Sequence, residues 1–309
     1  IPNLIFEFED KQSYLKKIGE IISEKSPKYI WCEHFGPLIY VKTALNKIKI
    51  KAKIINSHHD FLYKILILRQ KSLRTIVRSM FLKRIEIHLI RSSSLVVSGS
   101  LFELNEAKKI APNQPQIFLP CVYSFKTTNE RETLGINLYH FGTIKATANK
   151  IGLSHFFKNI IPFIIDLPIK IVFVGDVENY IHDKFPSLAK NSKLIFMGFV
   201  RNLDEVFIPH SLHVLPYKGK SGTRTRVASL LPHTPGLVGY FNLVDNYPFL
   251  KNGINSLLAN TDEEFILNIR KAVNDKNLCD DISKRVIEDY IIFQENISME
   301  FKKVFTSLN

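Results

Sequence analysis

The chain has 309 residues, 45% hydrophobic and 23% charged, an ordinary globular balance with room for two domains that each bury a core. Its three cysteines, Cys32, Cys121 and Cys279, are far apart and form no CxxC or Cys/His pattern; this excludes a zinc framework and reads as reduced thiols in a cytoplasmic compartment. No apolar run reaches the about 18 uncharged residues of a membrane-spanning helix, and the net charge of +13 points to anionic partners: lipid headgroups, phosphorylated substrates or nucleic acid.

The sequence opens on Ile1 with no signal-peptide pattern, as expected of a trimmed chain or a piece of a longer polypeptide. Four short apolar runs, "KYIWCE" (28–33), "AKIINSH" (52–58), "SLVVSGS" (94–100) and "PQIFLPCV" (115–122), predict buried parallel strands. Between the second and third, Leu73, Val77, Met80, Phe81 and Ile85 recur at helical spacing with basic residues interleaved, which predicts an amphipathic helix over 71–91. The charge surplus collects here: residues 42–91 carry thirteen Lys and Arg against Asp60 and Glu86. The segment suits peripheral contact with an anionic membrane surface, or is a solvated basic face. The polar, turn-rich "YSFKTTNERETLG" (123–135) then reads as a linker.

The pattern restarts after it. "INLYHFGT" (136–143) and "IKIVFVGD" (169–176) are strands that each run into a glycine turn, with a helix over 152–164 between them. "SKLIFMGFV" (192–200), "SLHVLPY" (211–217), "GLVGYF" (236–241) and "INSLLAN" (254–260) follow as further strands, and 262–309 is mainly helical. Strands alternating with helices predict an α/β protein, two doubly wound Rossmann-like domains facing a cleft. The predicted domains are 1–130 and 131–285, with 286–309 as a helix returning to the first. Ligands in such sheets sit beyond the carboxyl ends of the strands.

One loop stands out chemically: "YKGKSGTRTRVASLLPHTPG" (217–236). Gly219, Ser221 and Gly222 permit a tight turn after a strand, and a helix is predicted from about Thr223, ended by Pro232. Unpaired N–H groups at such a helix start, with Arg224 and Arg226 beside them, would make a diphosphate site. The alternative is a basic surface turn, which would oppose the helix dipole. In the first half His58, His59 and Asp60 end a strand and suit proton transfer, unless they form a polar turn. Glu33 and His34 end another strand as weaker ligand-contact candidates. Trp31, the only tryptophan, reads as core, Asp176 as a cap or turn residue, and His155, His210 and His213 as structural. No metal-ligand cluster is visible, so no metal or other cofactor is expected.

"FGTIKATANKIGLSHFFKNIIPFI", "IKIVFVGD", "KLIFMGFVRNLDEVFIPHSLHVLPYKGKSGTRTRVASLL" and "PFLKNGINSLLANTDEEF" occur in continuous order from residue 138 to about 290. Together they resemble the nucleotide-sugar lobe of GT-B glycosyltransferases, particularly family 4. "IINSHHDFLYK" and "RIEIHLIRSSSLVVSGSLFELNEAKKI" more loosely resemble the acceptor lobe. The resemblance implies that Gly222, Thr223, Arg224 and Arg226, with Lys145 and Thr143, meet the donor diphosphate. It places Ser229, Ser221, Asn255 and Gly142 near the nucleotide or sugar. The chain departs from the family where Ser221 and Ser229 replace two expected glutamates, and where Thr143 and Lys145 replace an Arg/Lys pair. The first lobe also reads as shortened, either naturally reduced or missing its amino-terminal portion.

The implied activity is a retaining transfer of a hexosyl or related sugar from a nucleotide-diphosphate donor, without metal, to a glycan or lipid-linked acceptor in surface polysaccharide or glycoconjugate synthesis. An inverting reaction would use Asp60 as base; a retaining one would use His59 to orient sugar hydroxyls. The expected location is cytoplasmic, or peripheral on the inner face of a membrane. Two other readings stand beside it. The absent glutamates and short first lobe suit a non-catalytic nucleotide-sugar binder or partner subunit. Basicity alone suggests a nucleic-acid-binding protein, but there is no recognition module or stacking-aromatic array, so nucleic acid is not an expected partner.

Overall fold

Short, β-branched-rich runs bounded by polar or glycine residues form strands because their side chains can be buried on both faces of a parallel sheet. The computed structural model describes residues 11–69, 72–122, 136–145, 147–203, 206, 211–219, 224–231 and 236–308. Among these, all ten predicted strands form: β1 (Tyr29–Glu33), β2 (Lys53–His58), β3 (Leu95–Ser98), β4 (Gln116–Phe118), β5 (Ile136–Phe141), β6 (Ile169–Val174), β7 (Leu194–Gly198), β8 (Leu212–Leu215), β9 (Gly236–Tyr240) and β10 (Leu257–Ala259). The expected linker over 123–135 lies outside the described residues.

The chain divides into two compact units: residues 1–120, 221–223 and 297–309 make up one, and residues 121–220 and 224–296 the other. The first contains a four-stranded parallel sheet in the order β1-β2-β3-β4, with Trp31 opposite Ile55 and Ile55 opposite Leu95. Period-two alternation sends Cys32 and Ile54 to one face, against the helix Phe35–Ile48 and Leu82 and Leu89 of the helix Leu73–Arg91. Ile55, Leu95, Val97 and Ile117 point to the opposite face, where Phe301, Val304, Phe305 and Leu308 cover them. Those four belong to the end of the 32-residue helix Lys276–Ser307 and the residue after it. The last thirteen residues therefore complete the first core.

The predicted basic helix forms as Leu73–Arg91, N-capped by Ser72, whose hydroxyl accepts from Thr75 N at 3.2 Å. Its orientation is the unexpected part. Thr75, Ser79, Leu82, Glu86, Leu89 and Ile90 face inward, whereas Leu73, Met80 and Phe81 are 79%, 59% and 60% exposed. The inward polar groups satisfy the start of the neighbouring helix Leu62–Arg69. Glu86 accepts from Leu62 N (2.8 Å) and Tyr63 N (3.2 Å), and Ser79 donates to Tyr63 O at 2.9 Å. Burial pushes the Glu86 carboxyl up to about 7 despite those two backbone donors.

The second unit carries a six-stranded parallel sheet ordered β7-β6-β5-β8-β9-β10. Counted from its own first strand this is 3-2-1-4-5-6, so the winding reverses between β5 and β8, the point at which sheets of this order place ligands beyond the strands' carboxyl ends. Leu138, Ile171, Leu212, Val214 and Val238 pack on one face with Leu153, Phe156 and Phe157 of the helix Thr147–Asn159. Leu215, Leu237 and Leu258 pack on the other with Val227, Val286 and Tyr290. Residues 262–308 are helical as expected, apart from a break at Asp275 and the end of the last helix at Ser307.

Candidate functional site

The reversal point of the second unit is built around Tyr217, two residues beyond β8. Its ring fills a slot against the helix Thr147–Asn159 so closely that a Cβ on Gly152 would lie 2.0 Å from ring atom Cδ1. Arg226 lies over the same ring, with Cζ 4.7 Å from the centroid. Its Nη1 donates to Phe141 O (2.9 Å) and to the Tyr217 hydroxyl (2.5 Å), and its Nη2 donates to Asn149 Oδ1 (2.8 Å). With Arg226 donating to the phenol oxygen, the phenol proton is left for His140 Nε2 at 2.7 Å. One guanidinium thus ties the end of β5, the following helix and the end of β8. Gly142 must be glycine here: its φ is +145°, and a Cβ would sit 2.8 Å from Arg226 Nη1.

Burial sets the electrostatics of this knot. It pushes the Tyr217 phenol up although Arg226 and Arg224 favour its ionised form. It holds His140 down to about 3, with Arg226 adding repulsion. Arg224 is different: it stands at the N-cap of the short helix Thr225–Leu230, is only partly buried, and donates from Nη2 to Gly219 O at 2.8 Å. A second cluster lies at the ends of β8, β9 and β10. Asp262 Oδ1 accepts from Lys218 Nζ (2.6 Å), the Tyr240 hydroxyl (2.5 Å) and His155 Nε2 (2.9 Å). Partial burial alone would raise this carboxyl, but Lys218, Tyr240 and His155 hold it down at about 2.

The first unit has its own polar cluster at the carboxyl ends of β1 and β2. Parallel pairing sets Glu33 opposite Ser57. Glu33 Oε2 lies 2.5 Å from His59 Nε2, its Oε1 accepts from Trp31 Nε1 at 2.5 Å, and Ser57 Oγ lies 3.2 Å from the same His59 nitrogen. Partial burial opposes the charge on Glu33, yet the hydrogen bonds from His59, Ser57 and Trp31 keep its pKa below the ordinary value. With Nε2–H held by that carboxylate, a neutral His59 ring presents Nδ1 as its acceptor. The His34 ring packs 4.4 Å from that of His59. His34 adopts φ 67°, a conformation rare for a non-glycine residue and concentrated at functional sites; its N–H donates to Ser57 O at 3.1 Å.

No family model and no curated protein matches this sequence. Solved structures do. The chain is similar to sucrose-phosphate synthase from Thermosynechococcus elongatus, with TM-score 0.72 and 11% identity over 96% of this chain and 77% of that one. It is similar to Anabaena HepE in complex with UDP and glucose, with TM-score 0.67 and 14% identity over 95% and 81%. A third is the pneumococcal O-GlcNAc transferase GtfA in complex with UDP and GlcNAc, with TM-score 0.63 and 11% identity over 94% of this chain and 59% of that one. The fold is that of GT-B glycosyltransferases.

Within the GT-B fold the sequence-predicted residues separate into groups. The structure brings Glu33, His34 and His59 together, while His58 points inward: it is 3% exposed, packs 4.4 Å from Phe61, and is held down to about 4 first by burial. Asp60 is partly buried beside the cluster. In the second unit Gly142, Thr143, Lys145, Arg224, Arg226 and Ser229 gather about the ends of β5 and β8, Lys145 exposed and Thr143 accepting its N–H at 3.3 Å. Ser229 donates to Arg226 O. Ser221, Gly222 and Thr223 lie outside the described residues, as does His210.

Asn255, expected near the nucleotide or sugar, is engaged within the protein. It is fully buried, accepts from Lys251 N (2.6 Å) and donates to Phe249 O (2.8 Å) and Asp289 (2.6 Å), so its amide is consumed in holding a turn. Trp31, expected in the core, is 39% exposed, with its indole N–H on Glu33. His155, expected to be structural, is half-buried on Asp262, and His213 is buried, which disfavours its charged form. Sequence reasoning missed Ser57, Tyr217, His140, Asn149, Lys218 and Asp262. Tyr217 and Lys218 stand inside the arginine-bearing loop but carry no motif, and Asp262 reads as an ordinary acidic residue in a first helical turn.

Proposed function

We propose that the chain is a nucleotide-sugar-dependent glycosyltransferase whose second unit holds the donor diphosphate at the β5–β8 reversal, with Arg224 as the principal guanidinium. The observation that carries this reading is the concentration of cationic groups at that reversal point, Arg224 partly exposed above a Tyr217–Arg226 floor, in a fold shared with proteins solved with UDP and a sugar. The expected helix-start contribution is reduced, since the observed helix has only six residues; side-chain charge replaces it. In the reaction the bond from the sugar carbon to the diphosphate oxygen breaks and one to an acceptor hydroxyl oxygen forms, the hydroxyl proton leaving with the diphosphate. Guanidinium groups neutralise the leaving charge in place of a metal.

Glu33 and His59 are proposed to orient hydroxyls in the first unit, as suits a retaining transfer of a hexosyl or related sugar. The acceptor would be a glycan or a lipid-linked glycan in surface polysaccharide synthesis, the family 4 pattern. Isothermal titration with UDP and other nucleoside diphosphates tests the donor site. We expect binding that Arg224→Ala weakens by about tenfold or more with unchanged thermal stability; equal affinity in the variant would sink the assignment. Donor and acceptor screens then separate a transferase from a binder: affinity without turnover for any pair would favour the non-catalytic reading that Ser221 and Ser229 keep open.

A further inference from the structure

A soluble helix ordinarily turns its apolar stripe to the core. The helix Leu73–Arg91 does the reverse. Leu73, Ile76, Val77, Met80 and Phe81 follow one another at i, i+3, i+4, i+7 and i+8, a single face, and all five are exposed, from 45% at Ile76 to 79% at Leu73. The opposite face, Thr75, Ser79, Leu82 and Glu86, is buried. This inversion is not a packing accident, because Ser79 and Glu86 are engaged with the start of the helix Leu62–Arg69. Turning the helix over would carry Ser79 and Glu86 away and leave those backbone donors unmet.

The same apolar face is bordered by charge of one sign. Arg74 and Arg78 flank it on one side and Lys83 on the other, and Arg84 continues the stripe one turn further; all four are exposed. Glu86 is the helix's one acidic residue, and it is buried. An apolar strip edged by arginines is complementary to an interface that is apolar inside and anionic at its rim. An acidic protein groove would match the arginines but would leave five large side chains to find a pocket of its own. We propose that this face of the helix Leu73–Arg91 docks the first unit on an anionic lipid surface, with Met80 and Phe81 entering the acyl boundary and Arg74 and Arg84 at the headgroups. The proposal does not rest on the donor chemistry, and vesicle binding can fail while nucleotide binding succeeds, or the reverse.

The test is co-sedimentation of the full chain with phosphatidylcholine vesicles, with and without about 30 mol% phosphatidylglycerol, at low and high salt. We expect binding to the anionic vesicles that high salt weakens. The double variant Met80→Ser/Phe81→Ser should lose about tenfold or more in partitioning, and Arg74→Glu/Arg84→Glu should lose at least as much. Both variants alter exposed side chains, so their melting temperatures should stay at the wild-type value; this separates lost docking from lost folding. Equal binding to neutral and anionic vesicles, or equal binding by the variants, overturns the proposal. So does a wild-type dimer, seen by sedimentation velocity and abolished by Met80→Ser/Phe81→Ser, in a chain that ignores vesicles: the face would then belong to a second copy.

Discussion

Arg224 and Arg226 are two residues apart, yet their guanidinium groups do different work. Arg226 donates to a carbonyl, a phenol and an amide around a buried ring, a geometry that uses its planar fork. Arg224 donates to Gly219 O and remains partly exposed. From this difference we propose Arg224 as the phosphate contact and Arg226 as a positioning residue. Replacing Arg226 with Lys keeps the charge and loses the fork. We expect Arg226→Lys to cost roughly 1–3 kcal/mol of stability, visible as a lower melting temperature. A variant as stable as wild type, with weakened nucleotide binding alone, would show that Arg226 serves the ligand after all. His58 and His59 diverge in the same way: adjacent positions at a strand end point to opposite sides, and only His59 reaches Glu33.

At the scale of elements, the end of the helix Lys276–Ser307 matters more than its ordinary amphipathic sequence suggests. Phe301, Val304, Phe305 and Leu308 cover Ile55, Leu95, Val97 and Ile117 on one whole face of the first sheet. Phe305 also packs 4.9 Å from Tyr29 and 5.6 Å from Phe301. We predict that Phe305→Ala/Leu308→Ala destabilises the first unit by about 3–6 kcal/mol, and that deleting residues 297–309 exposes the sheet face and causes aggregation. Thermal unfolding and sedimentation of the two proteins check this; a truncated chain that stays monomeric and melts normally would contradict it. The strands were legible in the sequence because burial on both faces leaves a plain apolar run, as in "KIIN" and "LVV". Which distant segment covers which face was not, since Val304 and Leu95 share no local pattern.

At the scale of the whole molecule, buried histidines predict that the second unit is acid-sensitive. In the second unit burial holds His140 down to about 3 and His213 well below its ordinary value. From pH 6.5 downward the unfolded chain takes up protons on these histidines that the folded unit refuses, so stability falls on acidification. In the first unit His58, held down to about 4, acts in the same direction, but Glu86, raised to about 7, opposes it. Folded Glu86 carries a proton that the unfolded carboxylate lacks between its ordinary 4.5 and that raised value, so its contribution is lost as pH rises. The first unit should change little between pH 6.5 and 4.5, while the second loses stability. Melting curves across that range should show it, and His140→Gln should flatten the dependence by about 1.4 kcal/mol per pH unit. An identical slope in the variant would mean that His140 titrates normally.

By itself the sequence determined the order of strands and helices, the α/β class and the stretch where cationic side chains meet a strand end, because each rests on local periodicity or on neighbours in the chain. Only the tertiary structure decided how those groups are spent. A helical period reveals that the segment 73–91 has two faces, and hydrophobicity alone would turn Leu73, Met80 and Phe81 inward. Two unmet N–H groups at Leu62 and Tyr63, on a different helix, claim Glu86 and reverse that choice. Likewise nothing near Arg226 in the chain announces Phe141 or Asn149; the reversal of the sheet between β5 and β8 brings them within hydrogen-bond reach. Hydrogen-bond satisfaction is a non-local requirement, so it was settled by which backbone ends came together.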